Sequence, residues 1–338
     1  VTTGIRNTIL GGVAGDAITT GSNNIAIGYQ ALTTEDTGNK SIAIGDSTLS
    51  NQNYDGDAHN IAIGHNAGEN VSTGVQNILI GGLAGDALTT GGNNVAIGYL
   101  ALSTENEHGN NIAIGAGALL NQDAGADAFN VAVGHNAGLT ITTGTQNTLI
   151  GGLAGDAITA GTFNVAVGHE ALSTEDTGTR SVAIGWRALK LQNYNGEAFN
   201  IAIGHNAGAS VSTGIRNTLI GGLAGDALTT GGDNVAIGYD ALSAEDDHGF
   251  NVAVGRSALG SQNAGTNAYN VAIGYNAGYS VSTGVRNVLL GGHAGDNITT
   301  GTYNIAIGYH ALGTEDAHGK NIAIGDLALA AQDAGADA

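Results

Sequence analysis

The chain has 338 residues, including 58 Gly but no Pro, Cys or Met, and only 11% are charged, a composition far from that of an ordinary globule. A formal charge of −20, from 29 acidic against 9 basic residues, repels phosphate backbones and anionic lipid and so disfavours nucleic acid and membrane surfaces as partners. Without Cys there is no disulfide framework or thiolate metal site, and the redox compartment stays open; no apolar run of about 18 residues spans a membrane and no signal peptide is visible.

The first strand signal follows Asn7, and its phrase, N-[IV]-A-[IV]-G in most copies, returns along the whole chain as in "NNIAIGYQAL" from Asn23 and "FNVAVGHEAL" from Phe163. With the Asn as position 1, units begin at residues 7, 24, 41 and 60, spaced 17, 17, 19 and 17 apart, and the set recurs every 70 residues to give nineteen units. An alternating apolar pair over positions 2 to 4 predicts a β-strand, with Ile25 and Ile27 on one face and Ala26 on the other. Position 5 is Gly throughout, for example Gly28, Gly64 and Gly98, as expected at a corner of positive φ. Position 8 is Ala in all units but one, where Thr48 stands, which implies close packing.

Seventeen units carry Asn at position 1, among them Asn7, Asn24, Asn60, Asn77, Asn94, Asn111, Asn130, Asn147, Asn164 and Asn200; Ser41 and Ser181 are the exceptions. Stacked coils place these side chains above one another, predicting a structural Asn ladder. The second and third unit types keep Leu at position 9 (Leu32, Leu102, Leu119, Leu189) with a polar residue at position 12. The first and fourth types have Gly at position 9 and an aliphatic at position 12 (Ile18, Val71, Leu88, Ile141, Val211). One large side chain per coil, moving its origin, keeps the interior volume constant. The expected fold is therefore all-β: a parallel β-solenoid (β-roll or β-helix) of about nineteen coils of 17 to 19 residues, each rising about 4.8 Å. It is expected to run as one continuous region over 1–338, uncapped, and to be an excerpt of a longer fibre, consistent with the missing initiator Met, or a unit that stacks end to end into a filament.

The phrases "NNIAIGYQAL" and "FNVAVGHEAL" resemble the repeats in the heads of trimeric bacterial autotransporter adhesins, and "TGSNNIAIGYQAL" and "TGTYNIAIGYHAL" are also similar to repeats of phage tail fibres. The resemblance covers essentially the whole chain, although the adhesin unit is shorter, at about fourteen residues. It implies a left-handed parallel β-roll, trimeric assembly, and an extracellular, cell-surface or virion location.

Position 6 is often aromatic: Tyr29, His65, Tyr99, His135, His169, Trp186, His205, Tyr239, Tyr275 and Tyr309. His and Tyr exchange between equivalent places, as in His205 and Tyr275, which a metal ligand or general base would not survive but a flat packing surface would. These rings are expected to form a surface stripe for sister chains or, alternatively, for glycan stacking. Acids recur at Asp16, Asp86, Asp156, Asp226 and Asp296 and around Glu35, Glu105, Glu175, Glu245 and Glu315. They are expected to be solvated and to keep the fibre soluble, with Ca²⁺ binding as the alternative and otherwise no cofactor. Nothing offers the unique constellation that catalysis needs, so no enzymatic activity is expected.

In the first unit type, position 3 changes from Ala to Ile9, Leu79, Leu149, Leu219 and Leu289. If positions 2 and 4 face inward, these five point outward and make an oligomer-interface stripe. The alternative is a local register flip that turns position 3 inward, for which Thr8, Thr148 and Thr218 at position 2 speak. The function expected is a structural fibre shaft that holds a receptor-binding tip away from its base. The alternatives are an adhesin whose own face binds a glycan or receptor and, through the regular Thr-containing corners, an ice-binding protein.

Overall fold

The computed structural model describes residues 1–332; the last six positions of the 1–338 region lie outside the described residues. Nineteen three-residue strands, β1 (Thr8–Leu10) to β19 (Ile322–Ile324), make a parallel β-solenoid, with no helix among the described residues. Two compact units contain them: Val1–Asn164 holds β1 to β9 (Thr148–Ile150), and the second, from Val165, holds β10 (Val165–Val167) to β19. Within each unit successive strands pair in register, so that Ile25 faces Ile42 and Ala26 faces Ala43, and likewise Leu219 faces Ala236.

Period-two alternation holds, but with the opposite parity to the one expected. Position 3 points inward in every coil from the second onward: Ala26, Ala96 and Ala236 are fully buried, while the aliphatics at positions 2 and 4 are half-buried or exposed. The proposed interface stripe is therefore incorrect, since Leu79, Leu149, Leu219 and Leu289 are completely buried. Ile9, in the first strand, is 37% exposed. The local flip is not needed either, because the first unit type shares the parity of all the others.

The reason lies in the width of the coil. Opposite the strand run positions 8 and 9, whose Ala and Leu side chains, such as Ala241 and Leu242, are also fully buried, so only a methyl group fits at position 3. In the fourth and first unit types position 9 is Gly, and the freed volume takes a larger side chain. A Cβ on Gly208 would come within 2.6 Å of Leu219 Cδ1, and one on Gly225 within 2.8 Å of Leu219 Cδ2. Leu219 thus fills the space that two successive glycines leave open. The aliphatics at position 12, Val211 and Leu228, complete the same layer, fully buried.

Each coil turns through left-handed backbone just before position 1 and again at positions 7 and 9. Position 9 holds Gly225 at φ +56° but Leu242 at φ +52°. The left-handed conformation costs a non-Gly residue about 1–2 kcal/mol, and full burial of a Leu, worth about 1.5–3 kcal/mol, offsets it. The corner at position 5 is harder: Gly98 has φ +139°, and a Cβ there would lie 2.5 Å from the Gly115 carbonyl. No other residue type fits where one coil's backbone lies directly on the next.

Candidate functional site

Three sets of side chains repeat along the coils: the position-1 amides, the position-6 rings and the position-12 polar groups. The amides are buried from Asn24 onward, and Asn7 in the first coil is half-buried. Asn217 donates its Nδ2 hydrogen to the Gly231 carbonyl at 2.9 Å, and its Oδ1 accepts from the Asn234 backbone N–H at 3.0 Å. The same pair of bonds recurs at Asn24, Asn60 and Asn77. The ladder thus links side chain to backbone from coil to coil, satisfying N–H and C=O groups at the bend where strand pairing cannot.

All ten position-6 side chains are exposed. They do not form an unbroken stripe: the third unit type has Asp46, Ala116, Arg256 and Asp326 here beside Trp186, and the first has Gly, over which the next coil's ring lies, Tyr99 over Gly82 and Tyr239 over Gly222. Trp186 and His205 stack at 4.8 Å between centroids, and Arg256 sits 5.9 Å from both Tyr239 and Tyr275. Beside this column, at position 7, Glu170 meets Arg187 at 2.7 Å and Lys190 at 2.6 Å, and the two cations hold its carboxyl down at about 2.

The position-12 residues correct a second expectation. Glu35, Glu105, Glu175, Glu245 and Glu315 are completely buried rather than solvated, as are Gln52, Gln122, Gln192 and Gln262 one coil further on. Two arrangements alternate. In the first, Gly38 N–H donates to Glu35 Oε1 at 2.7 Å, while Gln52 Nε2 donates to Glu35 Oε2 at 2.9 Å and to Ser41 Oγ at 2.8 Å. Gln52 Oε1 then accepts from Asn60 Nδ2 at 2.9 Å. Glu175, Gly178, Ser181, Gln192 and Asn200 repeat this set.

In the second arrangement Asn111 stands in place of Ser41 and His108 in place of Gly38. Gln122 Nε2 turns away to the Thr142 carbonyl at 3.3 Å, and Glu105 Oε2 is left buried without a hydrogen bond. Glu105 Oε1 accepts from the backbone N–H groups of Asn106 and His108 and lies 3.4 Å from His108 Nδ1. Glu245 with His248 repeats the pattern, also at 3.4 Å, and Glu315 lies 3.1 Å from His318. Burial pushes the carboxyls of Glu105, Glu175 and Glu245 above the ordinary range.

The sequence had singled out the amides and rings, and the structure places the amides inside and the rings outside. It missed the carboxylates as core groups, although their constant place at position 12, where other coils bury an aliphatic, was the available signal. No pocket is found among the described residues. No family model, curated protein or solved structure matches the chain.

Proposed function

We propose that the chain is the structural shaft of an extracellular or virion fibre, and that copies of it associate, as a trimer if the resemblance holds, through the outward face of the strands. One observation carries this reading. Of the two outward positions in each of the nineteen described strands, only Thr8, Thr148 and Thr218 are not aliphatic, and none is charged. In a chain of net charge −20, a charge-free β-branched face is kept for contact rather than for water. A second copy is the occupant best matched to it, because only a surface with the same coil spacing keeps its ridges in step along the array. Ile201 and Ile203 illustrate the face: they are 39% and 37% exposed.

The test is the oligomeric state of the full chain by light scattering, with Ile61, Ile63, Ile201 and Ile203 changed together to Lys. The expected result is an oligomer in the parent and a monomer with unchanged β-sheet circular dichroism in the variant. A parent that stays monomeric at tens of micromolar would refute the assembly, and an oligomer that survives the four lysines would refute this face.

The exposed position-6 rings favour a second reading, an adhesin that stacks sugar rings on Trp186 and the tyrosines. Glycan-array binding that is lost on Trp186→Ala, with the oligomer intact, would select it.

A further inference from the structure

The fifth 70-residue copy departs from the other four at position 7 of two successive coils. At position 7 of the first unit type the earlier copies carry Val13, Leu83, Leu153 and Leu223, and at position 7 of the second type Gln30, Leu100, Glu170 and Asp240. In the fifth copy both become histidine, His293 and His310, 17 residues and therefore one coil apart. The acid at position 10 that lies beside them, Asp296, is present in all five copies as Asp16, Asp86, Asp156, Asp226 and Asp296. Two imidazoles have been added around a carboxylate that the fold already supplies.

We propose that His293, Asp296 and His310 form a binding site for a divalent transition-metal ion of the zinc class, clipping two successive coils together. His293 Nδ1 lies 2.8 Å from Asp296 Oδ2, and His310 Nδ1 lies 3.8 Å from Asp296 Oδ1. One ligand atom from each of the three residues falls within 4.8 Å of the others. Ligand atoms at about 2.0–2.1 Å from a tetrahedral zinc ion stand about 3.3 Å apart, so the two measured separations straddle the required one. Turning one imidazole out of the stack, so that both in-plane nitrogens aim at one point, closes the site.

Two further observations describe the surroundings of the site. Asp296 Oδ1 is buried and has no hydrogen-bond partner; the same oxygen is unpaired at Asp86 and Asp226, and only the fifth copy sets two imidazoles beside it. The histidine rings are held face to face, 4.7 Å between centroids and 10° between planes, with the Tyr309 ring edge-on to both. Their backbones are fixed by bonds from His293 N–H to the Tyr275 carbonyl at 2.8 Å and from His310 N–H to the Gly292 carbonyl at 3.0 Å. The backbones that carry the ligands are thus fixed, and the rings turn to bind. Imidazole nitrogen selects zinc, copper, nickel or cobalt over calcium, which takes six to eight oxygens. Three protein ligands leave one position for water.

The fold itself supplies the control variants. His293→Leu restores the residue of the fourth copy and His310→Leu that of the second, so the double variant keeps its solenoid, checked by circular dichroism. Zn²⁺ is titrated by calorimetry into the metal-free full chain at neutral pH, and Co²⁺ is added separately to read the visible d–d bands of nitrogen coordination. The expected result is one site per chain whose affinity falls at least tenfold in the double variant, together with loss of the Co²⁺ bands. A Zn²⁺ affinity in the parent less than tenfold above that of the double variant, or Co²⁺ bands that persist in it, would overturn the assignment and move metal binding to the other His–Glu groups.

Discussion

Changing Leu219 to Ala tests the inward parity of position 3 directly. Leu219 is completely buried in β13 (Thr218–Ile220), between β12 (Ile201–Ile203) and β14 (Val235–Ile237), where its two methyl groups occupy the space over Gly208 and Gly225. The deletion removes three carbons at about 0.8 kcal/mol each. Both neighbours at position 9 are glycines that cannot reach into the gap, so a cavity cost adds to this, for a total of about 3–4 kcal/mol. Because stability in a solenoid is set by neighbouring coils, the loss is read locally, by hydrogen exchange of the β12–β14 amides in the full chain. At about 1.4 kcal/mol per decade, those amides exchange at least 100-fold faster, while amides of β2 (Ile25–Ile27) and β3 (Ile42–Ile44) in the other compact unit hold their rates. The matched control is Ile203→Ala, outward and 37% exposed, for which the acceleration stays under about tenfold. Equal effects of the two changes, or a larger one at Ile203, would show that position 3 does not carry the core.

Replacing Gly98 by Val lowers the melting temperature well below that of Thr104→Val, since Gly98 has φ +139° against the next coil's backbone and Thr104 is exposed; equal melting temperatures would sink the corner assignment. The buried carboxyl of Glu245 has a raised affinity for its proton, so above the ordinary Glu value of 4.5 the folded chain holds a proton that the unfolded chain has released. Its contribution to stability is then fully present below that value and is lost as pH rises through the raised one. Glu245→Gln, neutral throughout, gains melting temperature relative to the parent between pH 4 and pH 7.5; a difference constant over that range would refute the desolvation argument.

Architecture was legible because a single phrase fixes so much of each coil. The constant Gly at position 5 and the pattern of Leu32 against Ile18 located the corners and the moving core residue, and these are steric requirements that leave no choice of residue. Parity is not legible from hydrophobicity, which is a poor measure of burial in so narrow a coil. Ile25 and Ile27 are more apolar than Ala26, yet the bore admits only a methyl group at that point, so the smallest residue of the strand is the most buried. The better signal was invariance of size: position 3 departs from Ala only in the unit type where two successive glycines at position 9 make room. His293 and His310 were equally visible as departures from the repeat, but 17 residues of sequence give no sign of sharing one carboxylate until the coils are stacked.

The buried glutamates show why a repeat this regular still carries two versions of itself. Where Ser41 stands at position 1, its small side chain lets the Gln52 amide bridge Ser41 Oγ and Glu35 Oε2, so that both ends of the carboxylate are satisfied. Asn111 is larger at the same place and bonds the Gly109 carbonyl instead; the Gln122 amide swings to Thr142, and Glu105 Oε2 loses its donor. That loss is accompanied in the sequence by His108 in place of Gly38, which brings an imidazole to 3.4 Å from the other carboxylate oxygen. The pairing of Ser with Gly and of Asn with His is followed in all five copies: Ser41 and Gly38, Asn111 and His108, Ser181 and Gly178, Asn251 and His248, Asn321 and His318. Two residues around a constant Glu and Gln therefore change as one unit, because an unpaired carboxylate in a dry core is costly and each substitution determines which partner the other can offer.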